Sequence, residues 1–343
     1  MGILMGKSSY IYIKYKTNIY ILMIYFIIIF VYIFKNNSTF PDLPQYFMAL
    51  YTSQFVEWEN IEQLGGFKYG NKFEIGWCIL TKLLAETYLS EIFFIFVISS
   101  FILFSYLKTF KQYSTCIWFS IIIFILTIFY NSCFILRQHV AVSICILSIP
   151  YIEKRDFIKF IIIVLIACTM HQSALIFIIM YFLYNVELNK KYLACFSLFA
   201  ILLYTFISFT FHYISTLTQS FDTYMLDERS SLGSNLTGVF ISFSILIFVY
   251  FFYKTKTIDK FRQLILHALL IICLINVIKV GLPGTIGRLA NYFTIFYIIG
   301  ISNSVSLISN RSIKFISILL IVSAYLFLSM QTMAYEFELV PIF

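Results

Sequence analysis

The sequence predicts an all-helical integral membrane protein, with about eleven transmembrane helices and one re-entrant or interfacial helix. Three observations predict it. Charged residues make up only 12% of the 343-residue chain while 61% are hydrophobic, and soluble domains carry about twice that share of charge. Runs such as 19–34 and 117–129 hold no charge at all. The basic residues fall in clusters between apolar runs, and a helix crossing the hydrocarbon core needs about 20 mainly apolar residues.

The elements follow in order. Lys7, Lys14 and Lys16 precede a first span at 18–34; no small-residue cleavage site follows Phe34, so the span is expected to be retained. Further spans are expected at 91–107, 115–132, 137–152, 157–170, 172–185, 192–210, 236–253, 263–280, 288–305 and 313–331. Segment 74–90 is short and carries Glu74, Lys82 and Glu86, which suits a helix lying at the outer interface. Outer loops are expected near 35–90 and 211–235. With no linker or repeat in view, 1–343 reads as a single polytopic domain. Seven cysteines (Cys78, Cys116, Cys133, Cys145, Cys168, Cys195 and Cys273) lie in apolar runs without pair spacing, as small buried hydrophobes would.

Charge orients the spans. With the N-terminus cytoplasmic, the inner loops hold Lys7, Lys14, Lys16; Lys108, Lys111; Lys154, Arg155, Lys159; Lys190, Lys191; Lys254, Lys256, Lys260, Arg262; and Arg311, Lys314, which is 16 of the 24 basic residues. Lys and Arg accumulate on the cytoplasmic side because they translocate poorly. The net charge of +8 is thus a sorting signal and an anionic-lipid contact. It is poor evidence for a nucleic-acid site, which would need a contiguous basic surface.

The polar residues outside those loops carry the chemistry. Arg137 and Arg288 are each expected to begin a span running inward from the outer face, where backbone N–H groups and the helix dipole favour an anion. An arginine fork adds bidentate contacts to phosphate. Lys279 and the run Gly281-Leu-Pro-Gly284-Thr-Ile-Gly287 flank Arg288, and together they suggest a diphosphate site. Such arginines also serve as headgroup snorkels or ion-pair partners. His171, in the turn between two spans, is a candidate general base; Glu74, which opens the interfacial segment, is the other. His139, two residues after Arg137, is expected to face elsewhere, and His212 and His267 look peripheral. The aromatic, acidic loop 35–73 (Tyr46, Tyr51, Phe55, Trp58, Tyr69) suits sugar rings or an interfacial aromatic belt. Walker A, dinucleotide-glycine, HExxH and Asp-x-Asp patterns are absent, which disfavours ATP-driven transport and nucleotide-sugar chemistry.

These residues also carry a resemblance. Arg137-Gln138-x-x-Ala141 and His171-x-Ser173-Ala174 are similar to elements of the EpsG-like branch of the Wzy-type polysaccharide polymerases. Asp42-x-x-x-Tyr46, Glu74-Ile-Gly76-Trp77 and Gly287-Arg288-x-x-x-Tyr292-Phe293 resemble further elements, in the family's order. Asp42 lacks the usual preceding Gly. The resemblance implies a bacterial cytoplasmic-membrane glycosyltransferase, with a fold similar to O-antigen ligases. It would join repeat units of O-antigen, capsule or exopolysaccharide carried on undecaprenyl diphosphate at the outer face. Glu74 or His171 would be the base. Arg137, Gln138, Arg288, Lys279, Asp42, Tyr46 and Tyr292 would bind the diphosphate and glycan. A single displacement would invert the anomeric centre without metal or cofactor. Lipid-linked oligosaccharide and membrane lipids are the implied partners, a chain-length regulator is a candidate, and nucleic acid is none. A flippase or other transporter, a ligase and an acyltransferase using His171 are the alternatives.

Overall fold

The computed structural model describes residues 2–35, 40, 42–66, 71–217, 232–254, 259–280 and 284–333. These are overwhelmingly helical. Among the described residues four helices are long and apolar enough to cross a membrane by length and composition: Glu91–Tyr113, Lys190–Ile207, Leu236–Lys254 and Lys260–Lys279. Shorter apolar helices cover Asn18–Phe34, Ile117–Ser132, Phe157–Met170, Gln172–Leu183 and Thr294–Ser306. The chain divides into two compact units: residues 1–104, 131–136 and 330–343, and residues 105–130 and 137–329.

The first unit contains α1 (Gly2–Phe34), α2 (Leu43–Thr52), α3 (Ile75–Thr87) and the first part of α4 (Glu91–Tyr113). Pro44 opens α2, where its missing N–H would have no intrahelical partner in any case. Trp77 of α3 is fully buried, 5.3 Å from the Tyr46 ring of α2 and 5.8 Å from Phe94 of α4. At thirteen residues α3 is about 20 Å long, short of the roughly 30 Å hydrocarbon core. Two short strands, β1 (Gly65–Gly66) and β2 (Asn71–Lys72), pair antiparallel with Gly65 opposite Lys72. Lys82 ties the loop before them to α3. Its buried ammonium donates to the carbonyls of Ser53 (3.1 Å) and Val56 (2.6 Å), pairs with Glu86 at 3.3 Å and lies 5.2 Å from the Trp58 ring centre.

The second unit continues through α5 (Ile117–Ser132), α6 (Leu136–Leu147), α7 (Ile149–Glu153) and α8 (Phe157–Met170). A 3-10 helix (Gln172–Ile178) then leads into α9 (Ile179–Leu183), α10 (Lys190–Leu217), α11 (Leu232–Lys254) and α12 (Lys260–Lys279). A second 3-10 helix (Gly284–Tyr292) precedes α13 (Thr294–Ser306) and α14 (Arg311–Met333). The core of this unit is α12, buried along most of its length between α11 and α13. Gly300 permits the approach: a Cβ there would lie 2.8 Å from Ile265 Cγ2. Small residues at such crossings let helix backbones close up where lipid supplies no hydrophobic drive.

Three expected spans take a different form. Segment 137–152 is two helices, broken at Ser148, because Pro150 has no N–H to continue the ladder. Segment 172–185 begins as 3-10 turns. Segment 288–305 becomes α-helical only at Thr294; Phe293 N–H still bonds the Ala290 carbonyl, three residues back. Arg288 therefore lies inside a 3-10 segment and does not start an α-helix. The loop expected at 211–235 is helical to Leu217, and 218–231 lie outside the described residues.

The helix ends opposite Arg137, His171 and Lys279 are capped and braced. Asp156 accepts from the Lys159 N–H (3.2 Å) at the start of α8, and Asp259 from the Arg262 N–H (2.8 Å) at the start of α12. Glu153 accepts from the Tyr113 hydroxyl at 2.6 Å. Arg155, at a left-handed φ of 56°, donates to the Tyr181 carbonyl and stacks 3.9 Å from that ring. The Tyr181 hydroxyl donates back to the Arg155 carbonyl at 2.8 Å. This reciprocal contact holds a conformation that β-carbons disfavour.

Candidate functional site

The 3-10 helix Gly284–Tyr292 is the hub of the second unit's candidate site. Gly287 lets the Lys279 stem pass: a Cβ at 287 would meet Lys279 Cδ at 2.9 Å and Nζ at 3.6 Å. Lys279, the last residue of α12, is thereby brought beside the Gly287–Arg288 peptide. Residues 281–283 of the expected glycine-rich run lie outside the described residues. Arg288 itself is exposed.

The first turn of α6 docks onto this hub. Gln138 is buried, and its side-chain amide donates to the Arg288 carbonyl at 2.8 Å. Asn291 donates to the Gln138 side-chain oxygen at 3.4 Å. Gln138 therefore fixes the backbone that carries Arg288, while Arg137 sits one residue before it on the same turn. His139 corrects the expectation that it faces away. It is fully buried, close enough to Arg288 for an electrostatic interaction, and neither ring nitrogen has a partner among the described residues. Ser143, one turn on, is likewise buried without a partner.

The turn between α8 and the 3-10 helix Gln172–Ile178 docks from another side. His171 ends α8, its N–H bonding the Ala167 carbonyl at 3.0 Å. Its extended backbone reverses the chain, and its own carbonyl accepts from the Ala174 N–H at 3.0 Å. Ser173 hydrogen-bonds the hydroxyl of the fully buried Tyr292 at 3.0 Å. Phe177 stacks on Phe293 (6.4 Å) and Phe296 (6.3 Å). Three motif stretches, around 137, 171 and 288, are thus joined by side-chain hydrogen bonds and ring contacts. Arg137, Gln138, His171, Lys279, Arg288 and Tyr292 all belong to one unit.

Asp42, Tyr46 and Glu74 belong to the other. Asp42 stands at the N-cap of α2 and Glu74 at the N-cap of α3, neither making a side-chain cap bond. Tyr46 is buried between Phe73 (5.7 Å) and Trp77. Tyr46 and Tyr292, which the resemblance assigns to glycan binding, are both buried, Tyr46 against aromatic rings and Tyr292 beside Ser173. Tyr51 donates to Glu91 at 3.1 Å. Phe55 is 86% exposed and Trp58 is exposed beside Glu57 and Glu59.

The residues that sequence reasoning missed are His139, Ser173 as a hydrogen-bond partner, and Asn291. The first two stand inside stretches already singled out. Asn291 follows Arg288 by one 3-10 turn, the spacing at which side chains eclipse. Among the described residues no three His, Cys, Asp or Glu side chains stand close enough together to hold a metal ion.

Long and short apolar helices fit a helical membrane protein, in which the stretches carrying Arg137, His171 and Arg288 contact one another and Lys279 passes beside Gly287. The EpsG family model matches residues 18–342, so the chain belongs to the EpsG family. No curated protein and no solved structure matches it.

Proposed function

We propose that this protein polymerises a surface polysaccharide, transferring a glycan from a polyprenyl diphosphate to a sugar hydroxyl of a second lipid-linked unit. Membership of the EpsG family supports a polymerase-like role. The carrying observation is the hydrogen-bonded junction of the three motif stretches in the second unit. His171 is our candidate base because it shares that unit with the arginines; Glu74 is the other candidate.

In the reaction, His171 takes the acceptor hydroxyl proton as the oxygen attacks the anomeric carbon. The bond from that carbon to the diphosphate oxygen breaks, and the lipid diphosphate leaves with the electron pair. Arg288, Arg137 and Lys279 take up the developing charge, as preorganised cations do most effectively in a site poor in water. The displacement inverts the anomeric centre. An eleven-span topology with a cytoplasmic N-terminus puts these groups on the outer face of a bacterial cytoplasmic membrane. The capped, basic helix ends opposite support that orientation. The contact of the Arg137, His171 and Arg288 stretches, with Lys279 beside Gly287, favours group transfer over transport, which calls for polar groups near mid-membrane.

The test is complementation of a deletion strain, with expression of each variant verified. Arg288→Lys, Arg137→Lys and His171→Ala should each cut long-chain polymer by roughly 100- to 1000-fold, the cost of one preorganised donor elsewhere. Single repeat units should remain. Normal glycan ladders in all three would end the proposal.

A further inference from the structure

A groove of about 590 Å³ runs along α10 in the second unit, within the roughly 300–1,000 Å³ usual for ligand pockets. Tyr192, Phe196, Phe199, Leu203 and Ile207 supply one wall. Their spacings of four, three, four and four residues put them on a single helix face. From Tyr192 to Ile207 that face is about 22 Å long at 1.5 Å per residue, most of the depth of a roughly 30 Å hydrocarbon core. Ile271, Ile275 and Ile278 of α12 form the facing wall.

One end of the groove belongs to the candidate site. Ile286 and Leu289 line it there; three apart in a 3-10 helix, they share an edge. Gly287 and Arg288 lie between them, and Ile278 immediately precedes Lys279. The apolar channel thus ends where Lys279 crosses Gly287 and Arg288 is exposed.

We infer that this groove seats the isoprenoid tail of the lipid-linked donor, with its diphosphate at Lys279 and Arg288; the assignment rests on the function proposed above. The occupant must be a long, narrow, uncharged chain with a strongly anionic head at one end. A phospholipid acyl chain shares the apolar chemistry. Two cations at the mouth match a diphosphate better than the single phosphate charge of a phospholipid. Inside a bilayer the tail exchanges one apolar surrounding for another, so the gain comes from packing contacts with the groove walls, and affinity should grow with tail length until the groove is filled.

The experiment measures binding of undecaprenyl diphosphate and farnesyl diphosphate to the full-length protein in nanodiscs of phosphatidylethanolamine and phosphatidylglycerol. Wild type should bind the longer chain at least tenfold more tightly. Leu203→Trp and Ile275→Trp, which fill the groove, should abolish that preference yet keep farnesyl diphosphate binding, which also reports an intact fold. Phe199→Ala, which widens the groove instead, should reduce the preference several-fold. Ile201→Trp, on the opposite and exposed face of α10, should change nothing. Equal affinity for both chains in wild type, groove variants that retain the preference, or displacement of the long chain by added phosphatidylglycerol would each overturn the assignment. Glycan ladders separate the two proposals. Polymer that requires Arg288 but tolerates both tryptophans sinks the groove alone. A groove that discriminates tails in a protein whose Arg288→Lys variant still makes full-length polymer sinks the catalytic reading alone.

Discussion

At Gly287 a single hydrogen separates the backbone from the Lys279 stem, and a methyl group would press on a flexible side chain. Gly287→Ala should therefore leave the fold intact while displacing the ammonium. A roughly tenfold loss of polymer, equal to about 1.4 kcal/mol of barrier, is expected for Gly287→Ala and for Lys279→Met. Unchanged polymer in both would remove Lys279 from the site. Lys35 supports a second prediction. It is 1% exposed, donates to the Tyr32 carbonyl at 3.0 Å and lies 5.6 Å from the Phe40 ring centre. Burial lowers its pKa to about 8, an effect that nearby Cys133 only partly opposes. The unfolded chain then holds more protons between about pH 8 and 10.5, so this residue makes stability rise with pH across that window. Below it the penalty is fully present. Thermal unfolding in detergent should show the rise in wild type, and Lys35→Met should flatten it. At this scale the sequence revealed which arginines and histidine stood apart from the inner-loop charges. It did not reveal that His139 is fully buried within electrostatic reach of Arg288.

At the scale of elements, one hydrogen bond joins two motifs. Tyr292→Phe removes the 3.0 Å bond to Ser173 while keeping the buried ring. It should cost about 0.5–1.5 kcal/mol; Ser173→Ala should cost about the same, and the double variant little more than either. Additive losses in thermal unfolding would mean that the bond is not what couples these stretches. The α12–α13 crossing makes a similar point through packing. A Cβ at Gly300 would meet a Cγ2 methyl held close to the Ile265 backbone, which has little room to move. Gly300→Val should cost roughly 1–3 kcal/mol by overpacking and lower the amount of folded protein, whereas Ile265→Ala combined with it should restore much of the loss. Hydropathy located most of these elements but not their winding. The 3-10 turns at 172–178 and 284–292 and the break before Pro150 depend on neighbours that an apolar run does not specify.

For the molecule as a whole, orientation is the property that charge asymmetry predicts and a pair of accessibility measurements can check. Gln172→Cys should react in intact cells with a membrane-impermeant maleimide, and Lys191→Cys only after permeabilisation; the reverse pattern would invert the topology. By itself the sequence determined that this is a helical membrane protein and which helix ends are basic. It also determined which short motifs carry ionisable groups through otherwise apolar segments. Those properties are one-dimensional: transfer cost and translocation bias are set by residues near one another in the chain. Only the tertiary structure decided that the stretches around 137, 171 and 288 share one unit while those around 42 and 74 share another. It alone placed Arg288 within a 3-10 segment clasped by Gln138, and opened an apolar groove toward it. Contacts between residues more than a hundred positions apart arise from how helices pack, and packing is a property of surfaces that meet only when the chain is folded.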